Sequence, residues 1–231
     1  MLEVVILTVQ IALLATAINF PVSLIIANYQ DKLPSKFKFI LDVFISLPLA
    51  LPPVVTGYFL LVIFSPNGIL GNLFFEIFWF DIVFTWFAAA LASALVSFPL
   101  MVRPMMLSFS NIDSNLINAA RSLGANKFQS FYKIKLNLAL PGILAGVILG
   151  FTRSLGEFGA TIMVAGNIPG KTQTLPLAIY TSVQVGDDSQ VYLLVGLSIG
   201  LALMSLSVYN LILYRYKNSN KDIWSYAFFQ N

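Results

Sequence analysis

Leu49-Ala-Leu-Pro-Pro-Val-Val-Thr-Gly-Tyr-Phe-Leu-Leu-Val-Ile-Phe64 is a continuous apolar run with no polar second face. A strand of a membrane barrel alternates apolar and polar residues over about ten positions, and the surface helix of a soluble domain keeps a charged side. This stretch does neither, so it reads as a helix enclosed by lipid or by other apolar helices. The remainder of the chain agrees. Of 231 residues, 58% are hydrophobic and only 10% charged, with a mean hydropathy of +0.84, where soluble domains run at about 25% charged. At about 20 residues per crossing there is room for roughly five or six spans. The expectation is an all-α integral membrane protein, one membrane domain over 1–231 without a soluble appendage.

Five segments are long and apolar enough to cross, at about 4–28, 40–64, 82–106, 138–165 and 191–214. The first is an uncleaved helix: it carries Glu3 in place of a basic start, and its apolar run exceeds the roughly 7 to 15 residues of a signal peptide. Basic residues sort the connections. Lys32, Lys36 and Lys38 follow the first span, five more lie between Arg103 and Lys135, and Arg215, Lys217 and Lys221 close the chain. The alternate connections hold Glu76, Asp81, Asp187 and Asp188 against a single Lys171. The positive-inside rule then puts the N-terminus outside and the C-terminus in the cytoplasm of a multi-pass cell-membrane protein. Segments 69–80 and 175–185 are expected at the outer interface.

The chain has no cysteine and no histidine. That removes disulfides, thiolate nucleophiles, imidazole bases and the Cys/His zinc patterns, so neither a metal site nor a catalytic site is expected. Nor is a nucleic-acid partner. Gly166-Asn-Ile-Pro-Gly-Lys-Thr172 is not a phosphate-binding loop, because three residues rather than four separate its glycines and no strand precedes it. An ion-gradient-driven carrier is the less favoured alternative: such proteins show paired repeats and intramembrane coupling-ion residues, and neither is visible.

The most informative connection is the cytoplasmic loop 107–137, with Asn111-Ile-Asp-Ser-Asn-Leu-Ile-Asn-Ala-Ala-Arg-Ser-Leu-Gly124 at its centre. Ile112, Leu116, Ala119, Ala120 and Leu123 recur at helical spacing, Asp113 or Ser114 can cap the start, and Gly124 suits the left-handed position that ends a helix. A short helix outside the membrane is predicted, with small Ala119 and Ala120 open to close approach and Arg121 at the rim. Phe128, Phe131 and Tyr132 are expected to anchor the following turn onto the spans. Periodicity alone leaves open whether this helix packs on its own protein or touches a partner.

Asn118-Ala119-Ala120, then Gly124, then Ile134-Lys-Leu136 resembles the Glu-Ala-Ala…Gly…Ile-x-Leu-Pro signature of binding-protein-dependent ABC importer permeases, with Asn118 in place of Glu and Asn137 in place of Pro. Four further stretches extend the resemblance: Leu47-Pro-Leu-Ala-Leu-Pro-Pro-Val-Val-Thr-Gly57, Phe98-Pro-Leu-Met-Val-Arg103, Arg153-Ser-Leu-Gly-Glu-Phe-Gly-Ala160 and Asn167-Ile-Pro-Gly-Lys-Thr-Gln-Thr-Leu-Pro-Leu-Ala-Ile-Tyr180. Together they are similar to molybdate ABC transporter permeases. The resemblance implies the type I importer fold and a homodimer. It also implies two cytoplasmic ATPase subunits that carry the ATP and Mg2+, an extracytoplasmic oxyanion-binding protein, and no cofactor on this chain. It makes Asn118, Ala119, Ala120, Arg121, Gly124 and Phe128 the ATPase-coupling residues. Tungstate, sulfate or another anion carried by the same machinery is the alternative cargo.

Pathway or gate candidates come from polar or bent points inside spans: Pro52, Pro53, Thr56, Arg153, Glu157 and Gly159. Prolines remove backbone donors and bend a helix, which lipid tolerates only where the freed groups meet protein or a wet cavity; a packing kink and a path-lining bend both fit. An intramembrane Arg or Glu costs about 2.5 to 3.5 kcal/mol to insert, so Arg153 and Glu157 should face protein or water, as a lock between helices or beside the path. Arg before Glu is the weaker order for a pair on one helix, so partners elsewhere are expected. Gly156 and Gly159 permit close helix contact or a break there.

Overall fold

The computed structural model describes residues 1–219; Lys221 and the side chain of Lys217, both counted in the basic tail, lie outside the described part. Helix α1 covers Leu2–Tyr29, and its 28 residues rise about 42 Å at 1.5 Å each, more than the roughly 30 Å hydrocarbon layer. The expected second span, 40–64, is not one rod. It is α2, Ser35–Ala50, and α3, Pro53–Phe64, with a bend of 108° between them. Consecutive prolines are the cause. A residue before proline is pushed from helical to extended backbone, and this applies to Leu51 and again to Pro52, whose ψ angles are 143° and 135°. Pro53 then opens α3 at a position where a missing N–H costs nothing.

After α4, Ile69–Phe78, helix α5 spans Trp86–Ser110. It starts later than the expected third span because Thr85 caps it, Oγ1 accepting from the Ala88 amide at 3.2 Å. Helix α6 is Ser114–Ser122. Helix α7, Lys127–Gln129, passes through a π-helical turn at Ser130–Lys135 into α8, Leu136–Leu155, making one 29-residue apolar crossing. The fourth crossing therefore begins well before 138 and ends well before 165. Gly156 and Phe158 leave helical geometry, and Gly159–Ala165 forms a separate α9. Helices α10, Leu175–Val185, and α11, Asp188–Ser219, complete the described chain. By length and apolarity α1, α5, α7–α8 and α11 can cross a membrane, and the broken pair α2–α3 makes up to a fifth span.

Lipid tails are as apolar as leucine, so helices in a bilayer associate through close packing and hydrogen bonds more than through apolar burial. The contact of α8 with α5 shows this. Gly142, Gly146 and Gly150, four apart, form one stripe of α8. A methyl group on Gly146 would stand 2.3 Å from the Met101 carbonyl oxygen, and one on Gly142 2.6 Å from that of Pro104. Toward the other end of α5 the fully buried Ala88, Ala89, Ala90 and Ala92 pack with Ile11 of α1 and Ala160 and Val164 of α9. Two core layers result, one around Ile11, Ile82 and Val164, the other around Ala27, Met101, Met105 and Ala139. Segment 175–185 packs on the bundle: α10 is tied to α1 by the Leu175 amide, which donates to Thr8 Oγ1 at 2.9 Å, and packs on Leu194 of α11. By contrast, α4 exposes Ile69, Leu73 and Ile77.

Candidate functional site

The two broken segments cross at their breaks. A methyl group on Gly57 of α3 would lie 2.6 Å from the Ala160 carbonyl oxygen, and one on Gly159 of α9 2.9 Å from Pro53 Cβ, so α3 and α9 touch almost backbone to backbone. The Pro52 carbonyl accepts the amides of Val55 and Thr56 at 2.9 and 3.3 Å. Thr56 is buried, with its hydroxyl donating to the Pro53 carbonyl at 2.7 Å. Pro52 itself is exposed at the corner.

Glu157 stands in the break before α9. Its Oε1 accepts the Ala160 amide at 2.8 Å, and its Oε2 lies 2.8 Å from Arg153 Nη2. The carboxylate is 1% exposed and the arginine side chain 30%, so the cation links a buried anion to the open side of the helices. This corrects the expectation that Arg153 and Glu157 find partners elsewhere. The rule that disfavours Arg before Glu presumes an unbroken helix, and the helix ends at Leu155. Arg153, Glu157, Gly159, Pro53 and Thr56 are thus gathered at one crossing.

One layer of this site is not readable as a site from the sequence. Asn19 Nδ2 of α1 donates to the Ala94 carbonyl at 2.8 Å and to Ser97 Oγ of α5 at 3.1 Å. Ser154 Oγ of α8 is 3.0 Å from Ser97 Oγ. This buried knot pins three helices beside Arg153. Its only signal in the sequence is polar Asn19 and Ser97 inside apolar runs, the usual form of interhelical hydrogen bonding in membranes.

The short helix expected in loop 107–137 forms as its caps predict. Asp113 Oδ1 accepts the Asn115 amide at 2.8 Å, and Gly124 takes φ +93°, a conformation that costs glycine least. No residue of α6 is buried. Asn118, Ala119 and Arg121 are exposed and Ala120 half-buried, while Leu123 is 90% and Phe128 74% exposed. Phe128 and Tyr132 do not anchor onto the spans; they stack on each other at 6.2 Å, and Phe131 alone of the three packs inward. Helical phase is the reason, since Phe128 and Tyr132 are four apart and share the outward face. Asn137 Nδ2 donates to the Lys133 carbonyl at 2.9 Å, and the helix runs on past this position.

In the loop after α9, the amides of Lys171, Thr172 and Gln173 all converge on the Ile168 carbonyl within 3.2 Å. The Ile168 amide donates to Thr172 Oγ1 at 3.0 Å. Donors that would face phosphate in a nucleotide loop are spent inside this turn.

Residues 19–220 match the family model described as "Binding-protein-dependent transport system inner membrane component". The "Molybdenum transport system permease protein ModB" of Escherichia coli (strain K12) is 42% identical over 207 residues, covering 89% of this chain and 90% of that protein. Its namesake in Haemophilus influenzae is 44% identical over 201 residues, 87% of this chain and 88% of that one. Among solved structures, a bacterial ABC transporter that imports the acidic polysaccharide alginate superposes with a TM-score of 0.69 at 14% identity, over 94% of this chain and 79% of that one. At that identity the likeness concerns the fold.

Proposed function

Because the chain belongs to the binding-protein-dependent transport system inner membrane components, a multi-pass inner-membrane permease subunit of an ABC importer, we propose that its cargo is molybdate. The observation that carries this reading is identity of 42% and 44% to two molybdenum transport permeases along nearly their whole length. In this reading two copies enclose the path on their shared axis, since five spans surround too little for a pore. An extracytoplasmic binding protein delivers the anion. Two separate ATPase subunits bind ATP and Mg2+, and this chain binds no cofactor and hydrolyses nothing.

Helix α6 is the coupling helix. Asn118, Ala119, Ala120, Arg121, Gly124 and Phe128 form the face offered to the ATPase, which the exposure of α6 supports. ATPase closure moves α6, and the movement reaches the crossing of α3 with α9 through the continuous helix α7–α8. That crossing is the gate: unwound backbone beside Pro52 and Glu157 is tolerated in a membrane where it lines a cavity or is buried in protein. Arg153 and Glu157 lock it. Differential contacts of the ATPases with two permease conformations then shift the population between inward-facing and outward-facing states.

The test is reconstitution of the chain with its genomically adjacent ATPase and binding protein, followed by ATP-dependent uptake of radiolabelled molybdate with tungstate and sulfate as competitors. Uptake blocked by tungstate but not by sulfate is expected. Transport of sulfate alone, or of none of the three by an assembled and ATP-hydrolysing complex, rejects the cargo and leaves the permease standing.

A further inference from the structure

Where the end of α1 faces α6 and the π-helical turn, a cavity of about 830 Å3 carries Lys32, Arg121, Lys127 and Lys135 in its wall and, among the described residues, no carboxylate. This is within the roughly 300 to 1,000 Å3 of small-ligand sites. The two lysines nearest α1 are held in place without being neutralised. Lys135 Nζ donates to Asn28 Oδ1 at 3.0 Å, and Lys32 Nζ lies over the Tyr29 ring, 4.7 Å from its centre. They are close enough to repel each other; Asp31 offsets part of this but is itself paired with Lys38 at 3.3 Å. Ser130 lines the same cavity, is 3% exposed, and its hydroxyl has no hydrogen-bond partner among the described residues. A buried polar group is normally satisfied, so this one marks a place for an acceptor.

The cavity also has an apolar side. Leu24 and Ile25 complete its wall, Ile25 being 59% exposed on the outer surface of α1. They lie about one to one and a half helical turns from Tyr29 toward the middle of the crossing. Cations at headgroup level above an exposed apolar strip match an anion that carries hydrocarbon, and basic pockets between helices on the cytoplasmic side are suited to anionic lipid headgroups. We infer that this cavity binds the phosphate of an anionic phospholipid of the inner leaflet, with Lys32, Lys135 and the Ser130 hydroxyl on the phosphate and an acyl chain along Leu24 and Ile25. Placement at the inner leaflet rests on the orientation read from the basic loops; the cargo does not enter.

The experiment is native mass spectrometry of the complete complex, with ATPase and binding protein, titrated with phosphatidylglycerol or phosphatidylcholine in the presence or absence of inorganic phosphate. Selective retention of phosphatidylglycerol is expected, unmoved by millimolar phosphate. At about fivefold in affinity for each lysine near an anionic headgroup, the double variant Lys32→Gln/Lys135→Gln should weaken retention by roughly 30-fold, whereas Lys36→Gln/Lys38→Gln should not. In the unaltered complex, photoactivatable phosphatidylglycerol should label peptides within 24–35 and 117–135, which decides the matter even if the variant fails to assemble. Equal retention of both lipids, displacement by free phosphate, or labelling seen only when the ATPase is stripped away would each overturn the assignment. The last two would transfer the site to a soluble oxyanion or to the ATPase. Failure of molybdate uptake alone would leave it untouched.

Discussion

A buried carboxylate with one partly exposed cation as its counter-charge is the most exacting residue-scale feature of the chain. Truncating Arg153 leaves Glu157, 1% exposed, without compensation. Breaking a buried pair costs about 3 to 5 kcal/mol, and the partial exposure of Arg153 lowers this to about 1 to 3 kcal/mol. Arg153→Ala is therefore expected to lower the thermal midpoint of the detergent-solubilised complex by several degrees. Arg153→Ala/Glu157→Gln should regain most of that, since glutamine still accepts the Ala160 amide and carries no charge. No recovery in the double variant would mean that the arginine acts through something other than this pair. A transport defect of the double variant in a complex of normal stability would assign the pair to the path itself. Gly57 offers an independent measurement. An added methyl meets the Ala160 carbonyl oxygen at 2.6 Å, backbone that cannot rotate away, so Gly57→Ala should cost about 1 to 3 kcal/mol by overpacking. A change below a few tenths in the unfolding free energy would show that α3 and α9 are free to separate.

At the scale of elements, α6 is a short helix in which no residue is fully buried, so its caps weigh heavily in its stability. Gly124→Asp places a side chain at φ +93° and a negative charge beside the negative end of the helix dipole. Nothing lies within 4 Å of the added carbon, so insertion and assembly should proceed as before. ATP hydrolysis should persist while uptake falls at least tenfold, and an unchanged ratio of uptake to hydrolysis would dismiss α6 as the coupling helix. The caps and the glycine stop of α6 are visible in the sequence because each is a local rule acting over a few residues. The outward turn of Phe128 and Tyr132 is less so: both are aromatic and attract a core assignment, and only the helical phase set by the π-helical turn decides which of the neighbouring aromatics points in.

For the whole molecule, orientation is the property most open to a direct check, because the natural chain has no cysteine. Single cysteines at Lys36, after α1, and at Lys171, after α9, should be labelled by an impermeant maleimide from opposite sides of the membrane, Lys36→Cys only when the cytoplasmic face is accessible. Labelling of both from one side would overturn the topology and the inner-leaflet lipid site with it. The long helix α11, with Tyr192, Leu203, Met204 and Leu211 exposed and little of it buried, offers a broad apolar surface that suits lipid contact.

The sequence by itself determined that the chain is helical and membrane-spanning, which connections carry the basic residues, where α6 starts and stops, and that the double proline interrupts a span. Hydropathy, charge asymmetry, capping and the steric push of proline all act within a few residues, so they can be read along the chain. Only the tertiary structure decided that the break at Pro52 is a bend of 108°, that it lies against the break at Gly156 through Gly57 and Gly159, and that Arg153 turns to Glu157. It also decided that the glycine stripe of α8 faces α5 and that Asn19 reaches Ser97. Those outcomes depend on how each helix is rotated about its axis and which distant segments it meets. In a chain where nearly every face is apolar, hydrophobicity does not select that rotation; steric fit between small residues and the pairing of a few buried polar groups do.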